Sequence, residues 1–362
     1  MCDTAAPAER DQSLRQQLVY LLRRETFKFD FWCLMIQADI LYHDLRRLRT
    51  FATRSAAVGA IVWLLLILTV TTDSHETELI HKVVFFALLV LVPLGLSLVT
   101  GRRQEGSIGL FRVAVMAQPL AAIATIASFF LEKGLPSAAL SATWLLFTAI
   151  VGLFGLTRLL RRGLYPLAES SVDAGLLYLP VAGGWLVIYR YGIQPFDYGE
   201  TIILLTVVHF HFAGFAAPII AGMAGRLLTK SQASAGRLFP FVVFALIAAL
   251  PLVAAGITFS PWLGLAGTLL LTTGLMMLAV ITIGKVLPRV RALGPRLLLL
   301  FGSLCSCVAM VLACLYAYSI VTHTLILRIP TMAMSHGLLN AFGFAACSLF
   351  AWSTITVSDL RD

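Results

Sequence analysis

Ten apolar runs, each long enough to cross a lipid bilayer, account for most of the chain. A membrane-spanning helix needs about 20 consecutive apolar residues, because the hydrocarbon core of a bilayer is ~30 Å thick. Backbone groups in hydrocarbon must be paired within the protein, and a helix pairs them within one segment. The sequence therefore predicts an all-α fold, a polytopic helical bundle with spans at about 55–72, 80–100, 111–131, 137–157, 172–191, 200–223, 238–258, 262–283, 296–319 and 332–356.

Composition excludes the soluble alternatives. Of the 362 residues, 59% are hydrophobic and only 12% are charged, against roughly 25% charged residues in ordinary soluble domains. A soluble domain of this size could not be covered by so few charges, which excludes a cytosolic enzyme, a nucleic-acid-binding domain and a disordered protein. The net charge of +9 is therefore interpreted as a topology signal. The expected partner is the lipid bilayer, and no nucleic acid is expected.

The positive charges are concentrated in alternate connections between the runs. The poorer set holds only Lys133, Arg190 and Arg328, with Lys82 just inside the second run. Because cytoplasmic loops carry an excess of Lys and Arg, this asymmetry predicts an even number of spans with both termini in the cytoplasm. The richer set holds Arg102, Arg103, Arg158, Arg161, Arg162, Arg226, Lys230, Arg237, Lys285, Arg289, Arg291 and Arg296.

The residues before the first run have a different character. Arg and Asp residues are interleaved there with aromatic and aliphatic ones, a pattern typical of a helix lying on a membrane surface. We expect a cytoplasmic amphipathic segment at 1–54 and a transmembrane helical domain at 55–358. The segment is interpreted as a membrane-surface anchor or as a lid over a cytoplasmic opening.

Polar residues in the sixth run are candidate functional residues, because unpaired imidazoles and carboxylates are costly in hydrocarbon. The run holds Glu200, His209 and His211. Two residues correspond to about 200° of a helix, so the two histidines are predicted to face different neighbours. They cannot bind one metal ion from a regular helix. Glu200 and His211 share nearly one face but are about 16 Å apart along the helix axis.

A second polar stripe lies in the tenth run. His336 and Asn340 are four residues apart and therefore share one helix face. We expect the sixth and tenth spans to be in contact, because both carry such residues. Further candidates are Gln118 in the third run, Asp173 at the start of the fifth, and Trp185 beside a pair of glycines. The alternative for the histidines is a structural hydrogen bond between helices, and for Asp173 and Glu200 it is a solvated carboxylate near the membrane interface.

A short internal echo links the same two runs. Residues 211–217 read HFAGFAA and residues 340–346 read NAFGFAA, four runs apart and in the same membrane direction. Small residues allow helix backbones to approach closely, so the echo is explained either by chance and helix packing or by an internal repeat, which many transporters contain.

The cysteines predict no special chemistry. None of the six forms a Cys-x-x-Cys pair. Cys305 and Cys307 are about 200° apart on a helix, so they cannot bind one metal ion from one face. We expect no disulfide framework, no metal site and no cofactor.

Six stretches resemble the YndJ-like family of bacterial membrane proteins. They are LVPLG at 91–95, QP at 118–119, WLLF at 144–147, DAGLLYLP at 173–180, VHFHFAGF at 208–215 and HGLLN at 336–340. The resemblance extends over about residues 80–350 and leaves out the N-terminal segment. It implies a bacterial inner-membrane protein, often labelled a transporter without a substrate. The polar set that it carries over is Gln118, Asp173, Glu200, His209, His211, His336 and Asn340.

The first functional hypothesis is a membrane-embedded enzyme that acts on an apolar or lipid-like small molecule. Imidazoles and carboxylates can serve as general acids and bases, which fits cyclisation, isomerisation or epoxide opening, and aromatic faces can stabilise a developing cation. The short connections and the absence of a charged path across the full depth favour this hypothesis. Proton handling is assigned to His211, His336, Glu200 and Asp173, and substrate binding to His209, Asn340, Gln118, Trp185 and Phe212.

Two alternatives stay open. A proton-coupled secondary transporter of a small solute would also use His and acidic residues as a proton relay, and the internal echo favours it. An anionic solute is disfavoured, because no Lys or Arg lies at mid-depth. A metal or haem protein is third, since imidazoles are suitable ligands but their spacing is no metal signature.

Overall fold

The computed structural model describes residues 43–68, 75–100, 107–231 and 238–360. Most of the predicted amphipathic segment, residues 1–42, therefore lies outside the described part. Residues 43–54 belong to the first helix, which continues without interruption to Leu68. The chain divides into two compact units, residues 1–48 and 49–362, and the second unit contains the bundle of membrane-spanning helices.

Ten of the described helices are long and apolar enough to cross a membrane, which confirms the predicted all-α architecture. The described residues contain no strand beyond a single bridge between Val290 and Leu360. The orientation of the termini stays a prediction. The helices are α1 (His43–Leu68), α2 (Thr77–Val99), α3 (Ile108–Ser128), α4 (Leu135–Arg162), α5 (Leu167–Tyr191), α6 (Glu200–Lys230), α7 (Leu238–Phe259), α8 (Pro261–Arg289), α9 (Leu293–Thr322) and α10 (Ile329–Thr354).

Helices that follow one another in sequence also pack together, and they do so in two matching series. Helices α3 to α6 form one series of neighbours, and α7 to α10 form the other. Helices in the same position of the two series begin at a nearly constant separation along the sequence. The pairs of first residues are Ile108 and Leu238, Leu135 and Pro261, Leu167 and Leu293, and Glu200 and Ile329. The echoed segments 211–217 and 340–346 have the same offset as α6 and α10, which contain them. We therefore interpret the bundle as two four-helix repeats with the same membrane direction.

Several helices contain π-helical segments, in which hydrogen bonds span five residues instead of four. In α2 the segment is Ala87–Leu91 and in α8 it is Thr282–Val286. In α6 it is Phe210–Ala216, and α10 has two, Ala333–Gly337 and Leu339–Ala346. The echoed heptapeptides thus coincide with π-helical segments, and these two segments are in contact with each other.

Glycines set the closest helix approaches around α5. A Cβ atom added to Gly175 would lie 2.8 Å from the carbonyl oxygen of Phe215 in α6. On the other side of α5, a Cβ atom added to Gly155 of α4 would lie 2.7 Å from Cβ of Leu176. Both distances are shorter than van der Waals contact, so α5 is held between α4 and α6 at a separation that only glycine permits.

Candidate functional site

Two imidazoles from distant parts of the chain face each other between α6 and α10. The ring centroids of His209 and His336 are 6.4 Å apart, and the ring planes differ by 22°. Asn340 lies one turn beyond His336, with its Nδ2 3.3 Å from each ring nitrogen of that histidine. These three residues, His209, His336 and Asn340, are called the imidazole-pair site below. The predicted contact between the sixth and tenth spans is therefore present.

Backbone carbonyl groups orient both imidazoles. Nδ1 of His209 lies 2.7 Å from the carbonyl oxygen of Leu205, and Nδ1 of His336 lies 2.8 Å from that of Ala309 in α9. A carbonyl oxygen only accepts hydrogen bonds, so Nδ1 carries the hydrogen in each ring. In the neutral rings Nε2 is then an acceptor. Nε2 of His336 already lies 3.3 Å from the amide nitrogen of Asn340, which is a donor. The acceptors left for a ligand are therefore Nε2 of His209 and the amide oxygen of Asn340.

Irregular helix surrounds the imidazole-pair site. His209 immediately precedes the π-helical segment of α6, while His336 and Asn340 lie within the two segments of α10. Such segments are rare and occur frequently at functional sites. The His209 side chain is exposed and the other two are half-buried, although all three belong to membrane-spanning helices. The site therefore retains accessible surface for a guest molecule.

His211 lies in a different environment. Its Nδ1 donates to the carbonyl oxygen of Val207 at 2.8 Å, and its Nε2 accepts the indole N–H of Trp144 in α4 at 3.1 Å. The side chain has no exposed surface. Both ring nitrogens are therefore used in contacts within the protein, on a side of α6 that differs from that of His209, as two residues of helical rotation predict.

Asp173 is part of a buried ion-pair network at the end of α4 and the start of α5. Its Oδ1 accepts from Nε of Arg158 at 2.6 Å, and its Oδ2 accepts from Arg162 at 2.8 Å. The aspartate is fully buried. Because each carboxylate oxygen has a guanidinium partner, this geometry stabilises the packing of the two helices.

The network continues to α2 and α6. Glu169 accepts from Arg158 at 2.5 Å and forms two hydrogen bonds of 2.6 Å with Arg226. Arg158 and Arg226 also donate to the carbonyl oxygen of Val99, at 3.0 and 2.7 Å. Positive charge at the carboxyl end of a helix is favourable, because the helix dipole is negative there. Three arginines and two carboxylates thus join four helices.

In the sequence these arginines were interpreted only as a topology signal, and their ion pairs with Glu169 and Asp173 were not predicted. The pairing had a detectable pattern, since Arg158 and Arg162 are four residues apart, and so are Glu169 and Asp173. Residues at this spacing share a helix face, and two such pairs of opposite charge flank a short connection. Trp144, the partner of His211, had no such signal.

The remaining predicted site residues lie apart from the imidazole pair. Glu200 forms an ion pair with Lys133 at the start of α6. Gln118 donates to the carbonyl oxygen of Leu88 at 2.7 Å, inside the π-helical segment of α2. The ring of Trp185 stacks near Tyr198, with centroids 6.1 Å apart. Phe212 is buried in the π-helical segment of α6.

The structure therefore brings together three of the nine predicted site residues, all from the sixth and tenth spans. Within the described ranges, no group of three or more His, Cys, Asp or Glu side chains is arranged to hold a metal ion. The imidazole-pair site has the groups needed for hydrogen bonding to a guest and for proton exchange.

Comparison with known proteins confirms the resemblance derived from the sequence. The family described as YndJ-like protein matches residues 82–344, a range that includes the imidazole-pair site. The chain is similar to the uncharacterized membrane protein YndJ of Bacillus subtilis (strain 168), with 26% identity over 238 residues, which cover 66% of this chain and 42% of the relative. The match thus spans less than half of that relative's length. No solved structure matches the chain.

Proposed function

Since the chain belongs to the YndJ-like family and is a multi-pass membrane protein, we propose a function for its membrane-embedded polar site. The proposed function is secondary transport of a small solute that donates hydrogen bonds, coupled to protons. The imidazole-pair site binds the solute, and the two four-helix repeats move relative to each other around it.

One observation carries this proposal: the facing imidazoles come from α6 and α10, the corresponding helices of the two repeats. Many transporters consist of such repeats and bind substrate near mid-membrane at the repeat interface, beside interrupted helices. His209 and His336 lie 6.4 Å apart at the contact between the two repeats, beside π-helical segments, which supports a site of this kind. This geometry favours the transport hypothesis over the enzyme hypothesis that the sequence alone ranked first.

The donor and acceptor pattern defines the class of solute. Both Nδ1 atoms face carbonyl groups, and Nε2 of His336 faces the amide nitrogen of Asn340. Nε2 of His209 and the amide oxygen of Asn340 are then the acceptors open to a solute. An amine, an amide or a polyol donates to two such acceptors, whereas a carboxylate or phosphate cannot. A proton bound at Nε2 of His209 would remove this acceptor and release the solute. Proton binding and solute binding are therefore expected to compete at this site.

The test uses the purified full chain in proteoliposomes that contain the pH indicator pyranine. A panel of small amines, amides and polyols is added outside, and the change in internal pH is recorded. We expect at least one solute to cause proton movement, and His209→Asn and His336→Asn to reduce its rate at least about tenfold, the equivalent of ~1.4 kcal/mol.

His323→Asn is the matched control. His323 is exposed, at the end of α9 with φ of 55°, a conformation that Asn tolerates. This variant should transport like the wild type. Proton movement that is equal in the wild type and both site variants would contradict the proposal, and so would a wild type that responds to no member of the panel.

A second candidate function is chemistry on a lipid-like substrate, and a groove of about 500 Å³ favours it. The groove lies between α9 and α10, along the stretch of α10 that carries His336 and Asn340, and its lining is almost entirely apolar. It is lined by Phe301, Cys305, Met334, Ser335, Leu338, Leu339, Phe342, Gly343 and Cys347. Cys347→Phe would fill it. If the protein is an enzyme, this variant should form no product from added membrane lipids, as measured by mass spectrometry. If it is a transporter, solute-driven proton movement should persist in the variant.

A further inference from the structure

A small hydroxyl-lined cavity lies among α6, α8, α9 and α10, separate from the imidazole-pair site. Its free volume is about 10 Å³, which is room for one guest of the size of a water molecule. Four of its ten lining residues carry hydroxyl groups: Thr282, Ser303, Ser306 and Ser348. The others are Ile220, Leu275, Leu278, Ala279, Leu299 and Phe344.

One of these hydroxyl groups lacks a partner within the described residues. Oγ of Ser306 is buried and forms no hydrogen bond there, and the residue is only 1% exposed. A buried polar atom without a partner is destabilising, because it has lost its hydrogen bonds to water, so a guest in the cavity would remove this cost. Ser303 donates its hydrogen to the carbonyl oxygen of Leu299 at 2.8 Å. Its oxygen lone pairs therefore stay available.

Backbone carbonyl groups add further oxygen atoms nearby. The carbonyl oxygens of Gly343 and Phe344 would lie 3.2 and 3.3 Å from a Cβ atom added to Gly302, and Oγ of Ser348 would lie 2.7 Å from it. Gly343 and Phe344 belong to a π-helical segment of α10, and Thr282 begins the π-helical segment of α8. Oxygen atoms of irregular helix therefore lie close to Ser348, at one side of the cavity, and transporters use carbonyl groups of irregular helix to coordinate cations.

We infer that this cavity binds one Na⁺ ion through the hydroxyl groups of Ser303, Ser306, Ser348 and Thr282. Hard cations prefer oxygen ligands. No carboxylate lines the cavity, which favours a monovalent ion over Ca²⁺ or Mg²⁺. The volume excludes a larger organic cation.

The position of the cavity suggests its role, which rests on the transport function proposed above. Ser348 lies twelve residues after His336 on α10, about 18 Å along a helix. Occupation of the cavity joins α10 to α8 and α9, the neighbours within the second repeat. Na⁺ would thus stabilise one arrangement of the helix that carries His336 and Asn340, and act as a second coupling ion.

The test is the thermal unfolding of the purified full chain in detergent, in NaCl, KCl or choline chloride at equal ionic strength. A ligand that binds only the folded state raises the Tm, and we expect a rise of about 2–4 °C in NaCl alone at ten times the Kd. Direct binding of ²²Na⁺ to the same protein is the second measurement.

Ser306→Ala should keep the Tm of the wild type in choline chloride, because it removes an unpartnered hydroxyl group. It should lose the increase caused by NaCl and weaken ²²Na⁺ binding at least about tenfold, the equivalent of ~1.4 kcal/mol. Ser141→Ala is the matched control, since Ser141 is fully buried in α4 and bonds to its own helix at 2.9 Å. That variant should keep the full response to NaCl.

An equal Tm in the three salts together with no ²²Na⁺ binding would overturn the inference and leave water as the guest. An equal response of Ser306→Ala and the wild type would also overturn it. His209→Asn should keep the NaCl response, because His209 does not line the cavity. A transport defect and a cation-binding defect are therefore measured separately, and either proposal can fail without the other.

Discussion

The indole N–H of Trp144 donates to Nε2 of His211 across 3.1 Å, and the opposite ring nitrogen of His211 donates to Val207. Both side chains have no exposed surface. This hydrogen bond joins α4 to α6 in the centre of the first repeat. It explains how an imidazole is accommodated within a membrane-spanning helix without contact with solvent.

Trp144→Phe should lower the stability of the folded chain. The substitution keeps an aromatic ring but leaves Nε2 of a buried imidazole without a donor, which costs about 1–3 kcal/mol. The midpoint temperature of thermal unfolding in detergent, monitored by size-exclusion chromatography of heated samples, should be lower than that of the wild type. Trp185→Phe, at a half-buried tryptophan of α5, should change the midpoint less. Equal shifts for the two variants would mean that the hydrogen bond contributes nothing.

Asp173→Asn should be the most damaging of the carboxylate substitutions. It removes the negative charge between Arg158 and Arg162, and breaking a buried ion pair typically costs about 3–5 kcal/mol. The yield of monodisperse protein should fall sharply. Glu132→Gln, at an exposed acid in the α3–α4 connection, should leave the yield unchanged. A well-folded Asp173→Asn protein that lacks only activity would indicate a proton-handling role for this carboxylate instead.

Two glycines of α5 provide a matched pair of substitutions. A Cβ atom at Gly175 would lie 2.8 Å from the carbonyl oxygen of Phe215, whereas at Gly184 nothing lies within 4 Å. Gly175→Ala is therefore expected to destabilise the chain by about 1–3 kcal/mol through overpacking. Gly184→Ala should be neutral or stabilising, because Ala favours helix by up to about 1 kcal/mol. Their midpoints of thermal unfolding give the comparison, and a reversed order would contradict the packing of α5 on α6.

Membrane orientation can be measured with single cysteines in a chain whose six native cysteines are replaced. Glu132 lies in the α3–α4 connection and Leu164 in the α4–α5 connection, and both side chains are exposed. The distribution of Lys and Arg predicts that Glu132→Cys reacts with an impermeant maleimide in intact cells. Leu164→Cys should react only after the cells are permeabilised. The opposite pattern would invert the predicted topology.

The division of information between sequence and structure is clearest for the histidines. The spacing of His209 and His211 required opposite faces whatever the bundle looked like, because a helix turns by about 100° per residue. The sequence also favoured contact between the sixth and tenth spans, yet it assigned proton handling to His211 together with His336. In the structure His209 faces His336, and His211 accepts a hydrogen bond from Trp144. Spacing within a helix determines angles, whereas the partner depends on which helices are neighbours.

The echoed segments are a second case in which the sequence alone left two interpretations open. The similarity of residues 211–217 and 340–346 is visible in the sequence, but four identical residues did not distinguish a repeat from ordinary packing. Matching helix boundaries and π-helical segments at both echoes favour the repeat. A π-helical segment has no reliable local sequence pattern, because side chains of other helices help to stabilise it. Gln118 of α3, for example, donates a hydrogen bond to the carbonyl oxygen of Leu88 in the π-helical segment of α2.

By itself the sequence determined that this chain is a multi-pass helical membrane protein of ten spans, because bilayer thickness imposes a length and a hydrophobicity on every span. It also determined the inventory of polar residues in those spans. Only the tertiary structure decided which of them meet: Asp173 with Arg158 and Arg162, His209 with His336, and Ser306 with a cavity. The physical reason is that apolar helix surfaces are nearly equivalent in lipid. The neighbours of each helix are therefore selected by close packing and by a few long-range hydrogen bonds.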